Sequence, residues 1–314
     1  MYSKGRWRHE LHYATGFMTE QKIFTDAAEM PARPVFAFAA LVMGNVAIAF
    51  GPLLVRLADT GPIAAGFWRL ILAVPFLAYF AYRAGFRPAA VPAKIYGLIV
   101  LAGILFGIDI IAWHIGIFKT KLGNATLFAN CASILLVLYG IFQARKLPSG
   151  FQGAAVLLAF GGGALLMGQS FELSHENLVG DILCLLAGLF YAAYLLLMIR
   201  ARASTESWGS LTIASFVAAA VMLPAAIGSG EQVMPGNWTP VLILALSSQV
   251  FGQGLLTYAL PHFSPLIIGL ALLLQPALSA AAGWIAFHEI LSPMDLLGGI
   301  MVMAALILVR MSEG

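Results

Sequence analysis

Apolar residues run through this chain in long unbroken blocks, without the in-and-out alternation of a half-buried strand. From residue 35 onward each block is about 20 residues long, the length of helix that crosses a bilayer core of about 30 Å. The blocks part at proline, glycine and charged clusters. Ten helical spans are expected, at 35–56, 62–82, 95–118, 122–143, 150–168, 179–199, 208–228, 238–260, 265–287 and 293–310. Lys119-Thr120-Lys121-Leu122-Gly123 makes a tight turn between the third and fourth, and an acidic loop at 171–180 separates the fifth and sixth. Residues 1–34 differ in kind. Lys4, Arg6, Arg8, Lys22 and Arg33 stand there against Glu10, Glu20, Asp26 and Glu29, and no apolar stretch has the length of a secretory signal. This segment is expected to be a tail outside the bilayer, either disordered or resting on the membrane surface through Arg6, Trp7 and Arg8.

Composition turns the pattern into a membrane argument. Of the 314 residues, 61% are hydrophobic and 10% charged, against about 45–50% and about 25% in a soluble domain. So few charges cannot coat a water-facing surface, and lipid takes up the excess apolar area. The net charge of +3 is small and dispersed, with no footprint for nucleic acid. Cys131 and Cys184 sit inside apolar runs, without disulfide or metal spacing, and no cofactor is expected. With the amino terminus inside, 13 of the 17 Lys and Arg residues fall on the inner side. Only Arg56, Lys119 and Lys121 fall outside, joined there by Glu172, Glu176, Asp181 and Glu231. The positive-inside rule then places both termini in the cytoplasm and makes the span count even.

The chain also aligns on itself. A shift of 145 residues lays Phe106-Gly107 on Phe251-Gly252, Trp113 on Tyr258, Phe118 on Phe263 and Gly153 on Gly298. A shift one residue shorter lays Gly44 on Gly188 and Arg56 on Arg200. Two five-helix repeats are expected, 35–170 and 171–314. Five is odd, so the second copy enters the membrane upside down. Inverted repeats of this kind enclose a central cavity and interconvert between two oppositely open states in secondary transporters.

Asp109 is the sharpest candidate within the spans. A charge at mid-bilayer costs about 2.5–3.5 kcal/mol on insertion scales. Two readings stand side by side: a proton-coupling or ammonium-binding carboxylate, and a structural one paired with Lys119, Lys121 or Arg56. Trp113 shares its helix face four residues on, as a ligand wall or an interfacial anchor. His114 lies about 140° around the helix from Asp109, which disfavours a direct relay. A second group of polar residues sits at depth: Asn45, Asn130, Tyr191, Tyr194, Gln249, Gln253 and Gln275, with Tyr258 matching Trp113. Gln249 and Gln253 share one face, and Asn130 corresponds to Gln275 under the 145-residue shift. Each of these residues serves equally as hydrogen-bonded glue between helices; together they suit a polar cavity. Gly51-Pro52, Pro75, Pro224 and Gln275-Pro276 are expected to interrupt helical bonding as hinges. Ala155, Ala159 and Gly163, and Ser279 with Gly283, form small faces for close packing. Arg69 is expected to snorkel or to pair with Asp59 at the outer face, and Glu289 to end the ninth span as an anchor or a gate.

Three stretches carry a family resemblance over residues 35–311. They are Phe67-Trp68-Arg69-Leu70, Gln275-Pro276-Ala277, and Phe287-His288-Glu289-Ile290-Leu291-Ser292 followed by Gly298-Gly299. With them the chain resembles the drug/metabolite transporter superfamily, in its ten-helix branch with two EamA-type domains. His288 stands where that family has Gly, and Ala144-Arg145-Lys146 where the first repeat would carry its Glu. The resemblance implies an exporter of small metabolites in the bacterial inner membrane. It is nearest to the amino acid exporters, in particular a YddG-like group associated with aromatic amino acids. A small-molecule substrate and the lipid bilayer are the partners, with protons as a candidate coupling ion; a monomer is compatible with the sequence. A drug exporter of the same fold is the neighbouring reading. A membrane enzyme would need a paired catalytic constellation at depth, a Ser–Lys or Asp–Asp pair for example, and the sequence shows none.

Overall fold

Backbone amides in hydrocarbon must find partners within their own segment, so an apolar chain of this kind folds as helix. A computed structural model describes residues 35–120, 128–145, 147–168, 177–278 and 292–311. Among them all regular structure is helical and there is no strand. Six helices are long and apolar enough to cross a membrane and four apolar helices are shorter. In chain order they are α1 (Val35–Ala49, continued by Gly51–Leu57), α2 (Pro62–Arg83), α3 (Ala93–Ile117), α4 (Cys131–Ala144), α5 (Gly150–Gly168), α6 (Leu178–Arg202), α7 (Ser207–Gly228), α8 (Trp238–His262), α9 (Pro265–Leu278) and α10 (Pro293–Met311). Each overlaps one expected span. The tail, Lys121, Glu172, Glu176, Ser279, Gly283, His288 and Glu289 lie outside the described residues, as does the expected boundary at 170.

The prolines act unequally. α1 breaks at Phe50, just before Gly51-Pro52, and α9 turns at Leu273, just before Gln275-Pro276. Pro276 has no N–H to give the Leu272 carbonyl, so the ladder loosens there. Pro75 and Pro224, also expected to interrupt helical bonding, lie inside continuous helices. One lost hydrogen bond in the middle of a 22-residue helix leaves enough flanking bonds to hold the rod. α8 deviates differently: Ala245–Gln253 is π-helical, the wide-turned form frequent at functional sites.

Small residues set the packing. A Cβ on Gly44 would lie 2.9 Å from the Gly252 carbonyl oxygen, so α1 and α8 touch backbone to backbone. Gly103 and Gly107 of α3 meet Ala214 and Ala218 of α7 in the same way, a small-xxx-small crossing. Ala155, Ala159 and Gly163 are buried, as their small face predicts, and Gly162 abuts the Gly298 carbonyl of α10. The main pairings are α1 with α8, α3 with α6 and α7, α2 with α7 and α8, α4 with α9, and α5 with α10. Exchanging each helix for the one five places away turns this set into itself.

Two rims bound the bundle. On the rim where α2 and α8 begin, Glu231 accepts from the Ile63 and Ala64 amides at 3.3 and 2.9 Å. The Trp68 indole donates to the Val233 carbonyl at 2.7 Å. Asp59 accepts from the Asn237 amide at 2.8 Å. Asp59 is therefore engaged by the α7–α8 loop and is not the hydrogen-bond partner of Arg69.

Candidate functional site

Arg69 lies seven residues inside the start of α2, and Asp109 eight residues before the end of α3. At 1.5 Å per residue both are about 10–12 Å from the same rim, well within a hydrocarbon core of about 30 Å. Gly66 lets their helices close up. A Cβ there would lie 3.1 Å from Ile110 Cγ2 and 3.2 Å from His114 Cε1. Arg69 follows Gly66 by about one turn, and Asp109 precedes Ile110.

The surroundings hold the guanidinium by one corner. Arg69 Nε donates to Gln249 Oε1 at 3.1 Å, and Gln249 Nε2 donates to Ser215 Oγ at 2.9 Å. This chain joins α2, the π-helical turn of α8, and α7. Arg69 and Asp109 act on one another electrostatically. Among the described residues, neither the Asp109 carboxylate nor the Arg69 Nη atoms have a hydrogen-bond partner. The expected ion pairing of Asp109 with Lys119 is not formed; its electrostatic partner is Arg69.

Both charges open onto a crevice inside the bundle. Along α3, residues 102, 106, 109, 113 and 116 form one helical stripe. Ala102, Phe106 and Gly116 are buried, so the stripe faces inward, yet Asp109 and Trp113 keep accessible surface. The opposite stripe of 101, 104, 108, 111 and 115 is wholly aliphatic and faces lipid. Accessible surface on the inward stripe therefore belongs to an internal crevice. Toward α6 the side chains are aromatic, with Phe106 and Tyr194 fully buried and Tyr191 half-buried. Phe106 stacks on Tyr194 with ring centroids 4.5 Å apart, and Tyr191 lies 5.8 Å from Tyr194. Gln253 Nε2 donates to Tyr191 Oη at 3.5 Å, and Gln253 Oε1 has no partner among the described residues. The Tyr194 hydroxyl is directed toward Thr257, but the two oxygens do not reach hydrogen-bonding geometry.

The other expected residues divide. His114 is buried near the Pro62 backbone at the start of α2, with Nδ1 unpartnered among the described residues. Trp113 packs on it at 5.3 Å. Asn45 donates to its own Leu41 carbonyl and accepts from Gln275 Nε2, both at 2.8 Å, so this pair ties α1 to α9. Asn130 precedes α4 and is half-buried. Tyr258 is exposed, its ring 5.1 Å from His262, apart from the crevice. Five residues beyond Gln253 place it on another helix face. On sequence alone Arg69 reads as a snorkelling or Asp59-paired residue and not as a site residue; in the structure it bonds Gln249 inside the bundle. Its depth in α2 is the one hint, and depth alone does not say whether so long a side chain turns to the rim or the interior. Ser215, behind Gln249, carried no signal among the many small residues of α7.

Residues 178–311 match the model of the EamA-like transporter family. An uncharacterized transporter of Archaeoglobus fulgidus is 24% identical over 81% of this chain and 89% of its own length. The threonine/homoserine exporter RhtA of Escherichia coli K12 is 32% identical over 45% of this chain, and the match spans 48% of RhtA. The pseudopaline exporter CntI of Pseudomonas aeruginosa is 20% identical over 67% of this chain and 73% of its own. A crystal structure shares the fold, with a TM-score of 0.74 over 90% of this chain and 99% of that one, at 14% identity. The chain is thus an all-helical, multi-pass integral membrane protein with transporters as relatives. Its crevice lies where Gln249 of α8, within the matched residues 178–311, meets α2 and α3.

Proposed function

We propose that the chain is a secondary active exporter of small amino acid-type metabolites. Ten crossing helices, in inverted halves 35–170 and 171–314, alternate access to the central crevice. The observation that carries this reading is the opposed charge of Arg69 and Asp109 at the same depth, on an inward face that keeps accessible surface. Charges within spans mark substrate or ion pathways. The exchange symmetry of the helix pairings supports the inverted halves. The export direction rests on the relatives RhtA and CntI. The rings that keep accessible surface, Tyr191 and Trp113, favour a cargo with an aromatic side chain. The cytoplasmic placement of both termini in a bacterial inner membrane rests on the cation asymmetry. A polar metabolite of another kind is the second reading, favoured by the similarity to a pseudopaline exporter.

The test is uptake into proteoliposomes across a panel of amino acids, with and without an imposed proton gradient. Accumulation of at least one amino acid against its gradient is expected. No movement of any member of the panel overturns the amino acid reading, and a rate indifferent to the gradient overturns proton coupling.

A further inference from the structure

We infer that Arg69 and Asp109 form a two-point clamp for a zwitterion, Arg69 holding the α-carboxylate and Asp109 the α-ammonium of one ligand. The inference rests on the reading of the chain as an amino acid transporter and adds the site. The two side chains carry opposite charge at the same depth, on helices that Gly66 brings into contact. Adjacent ionic groups in a low-dielectric interior ordinarily close on one another, with the remaining donors and acceptors satisfied. Here they do not. Gln249 takes Arg69 by Nε alone, and Ser215 fixes Gln249 from behind. That leaves the two Nη groups, the fork that grips a carboxylate with two parallel hydrogen bonds, without a partner among the described residues, on a side chain that keeps accessible surface. The Asp109 carboxylate likewise accepts no hydrogen bond among the described residues. A simple cation would need only Asp109, and a simple anion only Arg69. A ligand carrying both signs on neighbouring atoms satisfies both. Trp113, four residues from Asp109 on the same inward stripe, also keeps accessible surface, and an indole face suits an ammonium. Gln249 is then a positioning residue, since it touches Arg69 and not the ligand.

The experiment is competition against labelled L-phenylalanine or L-threonine in proteoliposomes containing the full chain. The competitors are the unlabelled amino acid, its N-acetyl derivative and its carboxamide. Each derivative removes one charge and leaves the side chain. Wild type is expected to prefer the free amino acid over either derivative by about tenfold or more, the discrimination of one charge-assisted hydrogen bond. Asp109→Asn is expected to erase discrimination against the N-acetyl form while keeping it against the carboxamide. Arg69→Gln is expected to do the reverse, and Arg69→Lys to restore part of the carboxylate preference. Ligand-induced shifts in thermal unfolding, measured on the same variants, report binding if transport is lost. Equal loss of both preferences in each variant, or preferences unchanged in both, overturns the clamp while leaving amino acid transport standing. Wild type that transports no amino acid of the panel overturns the transport reading itself.

Discussion

At the scale of single residues, the crevice depends on how one guanidinium is held. Gln249 offers its amide oxygen to Arg69 and its nitrogen to Ser215, so removing either member disturbs the other unequally. The bond to Arg69 has a charged donor, and such bonds contribute about 1.5–3 kcal/mol, against about 0.5–1.5 for a neutral one. Gln249→Leu, close in size, is expected to lower stability by the larger amount and to slow uptake. Ser215→Ala is expected to cost the smaller amount and to leave uptake nearly intact. Thermal unfolding and initial uptake rates of both variants check this order; an equal or larger effect from Ser215→Ala rejects the chain from Ser215 to Arg69. Asn45→Ala makes the contrasting case. It removes the tie between α1 and α9 and a bond within α1, both apart from Arg69 and Asp109, so it is expected to reduce the unfolding temperature with substrate affinity unchanged in binding titrations. Asp109 was legible in the sequence because a carboxylate deep in an apolar run has no inexpensive structural role. Arg69 was not, because a long side chain in the first turns of a helix reaches either the rim or the interior, and hydropathy carries no information on which. The division of Asn45, Gln275 and Gln249 between glue and crevice depends on partners 34 to 230 residues away, beyond any local pattern.

At the scale of elements, hydropathy located the helices well because lipid imposes one solution on the backbone. It read continuity less well. Pro75 and Pro224 sit in unbroken helices, whereas the residues just before Pro52 and Pro276 turn. The π-helical stretch of α8 carries no compositional mark and arises where Ser248, Gln249 and Gln253 are buried together. Glycines show what packing demands. A Cβ at Gly44 would lie 2.9 Å from the Gly252 oxygen and 3.0 Å from the Leu256 nitrogen, both rigid backbone. Gly97 of α3 has nothing within 4 Å of the same position. Gly44→Ala is therefore expected to force α1 off α8 and cost about 1–3 kcal/mol, the usual range for overpacking. Gly97→Ala is expected to be neutral or to stabilise by up to about 1 kcal/mol through helix propensity. Unfolding midpoints in one detergent compare the two directly, and a stable Gly44→Ala protein rejects the close approach of these helices.

At the scale of the whole molecule, the exchange symmetry has one informative flaw. The N-caps of α2 and α7, Gly61 and Glu206, stand 145 residues apart, as do Phe86 and Glu231. At the α7 rim the capping carboxylate is local: Glu206 accepts from the Trp208 and Gly209 amides, both at 2.8 Å, and Phe86 packs against Gly209. At the α2 rim the N-cap is a bare glycine, and the carboxylate arrives from the other half as Glu231. One rim is thus joined by hydrogen bonds to the Glu231 carboxylate, the other by the Phe86 ring on Gly209 together with an Arg200 to Tyr139 Oη hydrogen bond at 3.4 Å. In the alternating-access reading the α2 rim must open by withdrawing Glu231 from the Ile63 and Ala64 amides, whereas opening the α7 rim leaves Glu206 in place. Glu231→Ala is expected to raise hydrogen exchange of those amides and of the α7–α8 loop, to favour the state open at that rim, and to change transport. Glu206→Ala is expected to cost about 0.5–2 kcal/mol as a lost cap without altering exchange at the α2 rim. Exchange profiles of the two variants that change alike at both rims would reject the asymmetry. A change confined to the α2 rim in Glu231→Ala identifies that loop as the contact the halves must break to open there.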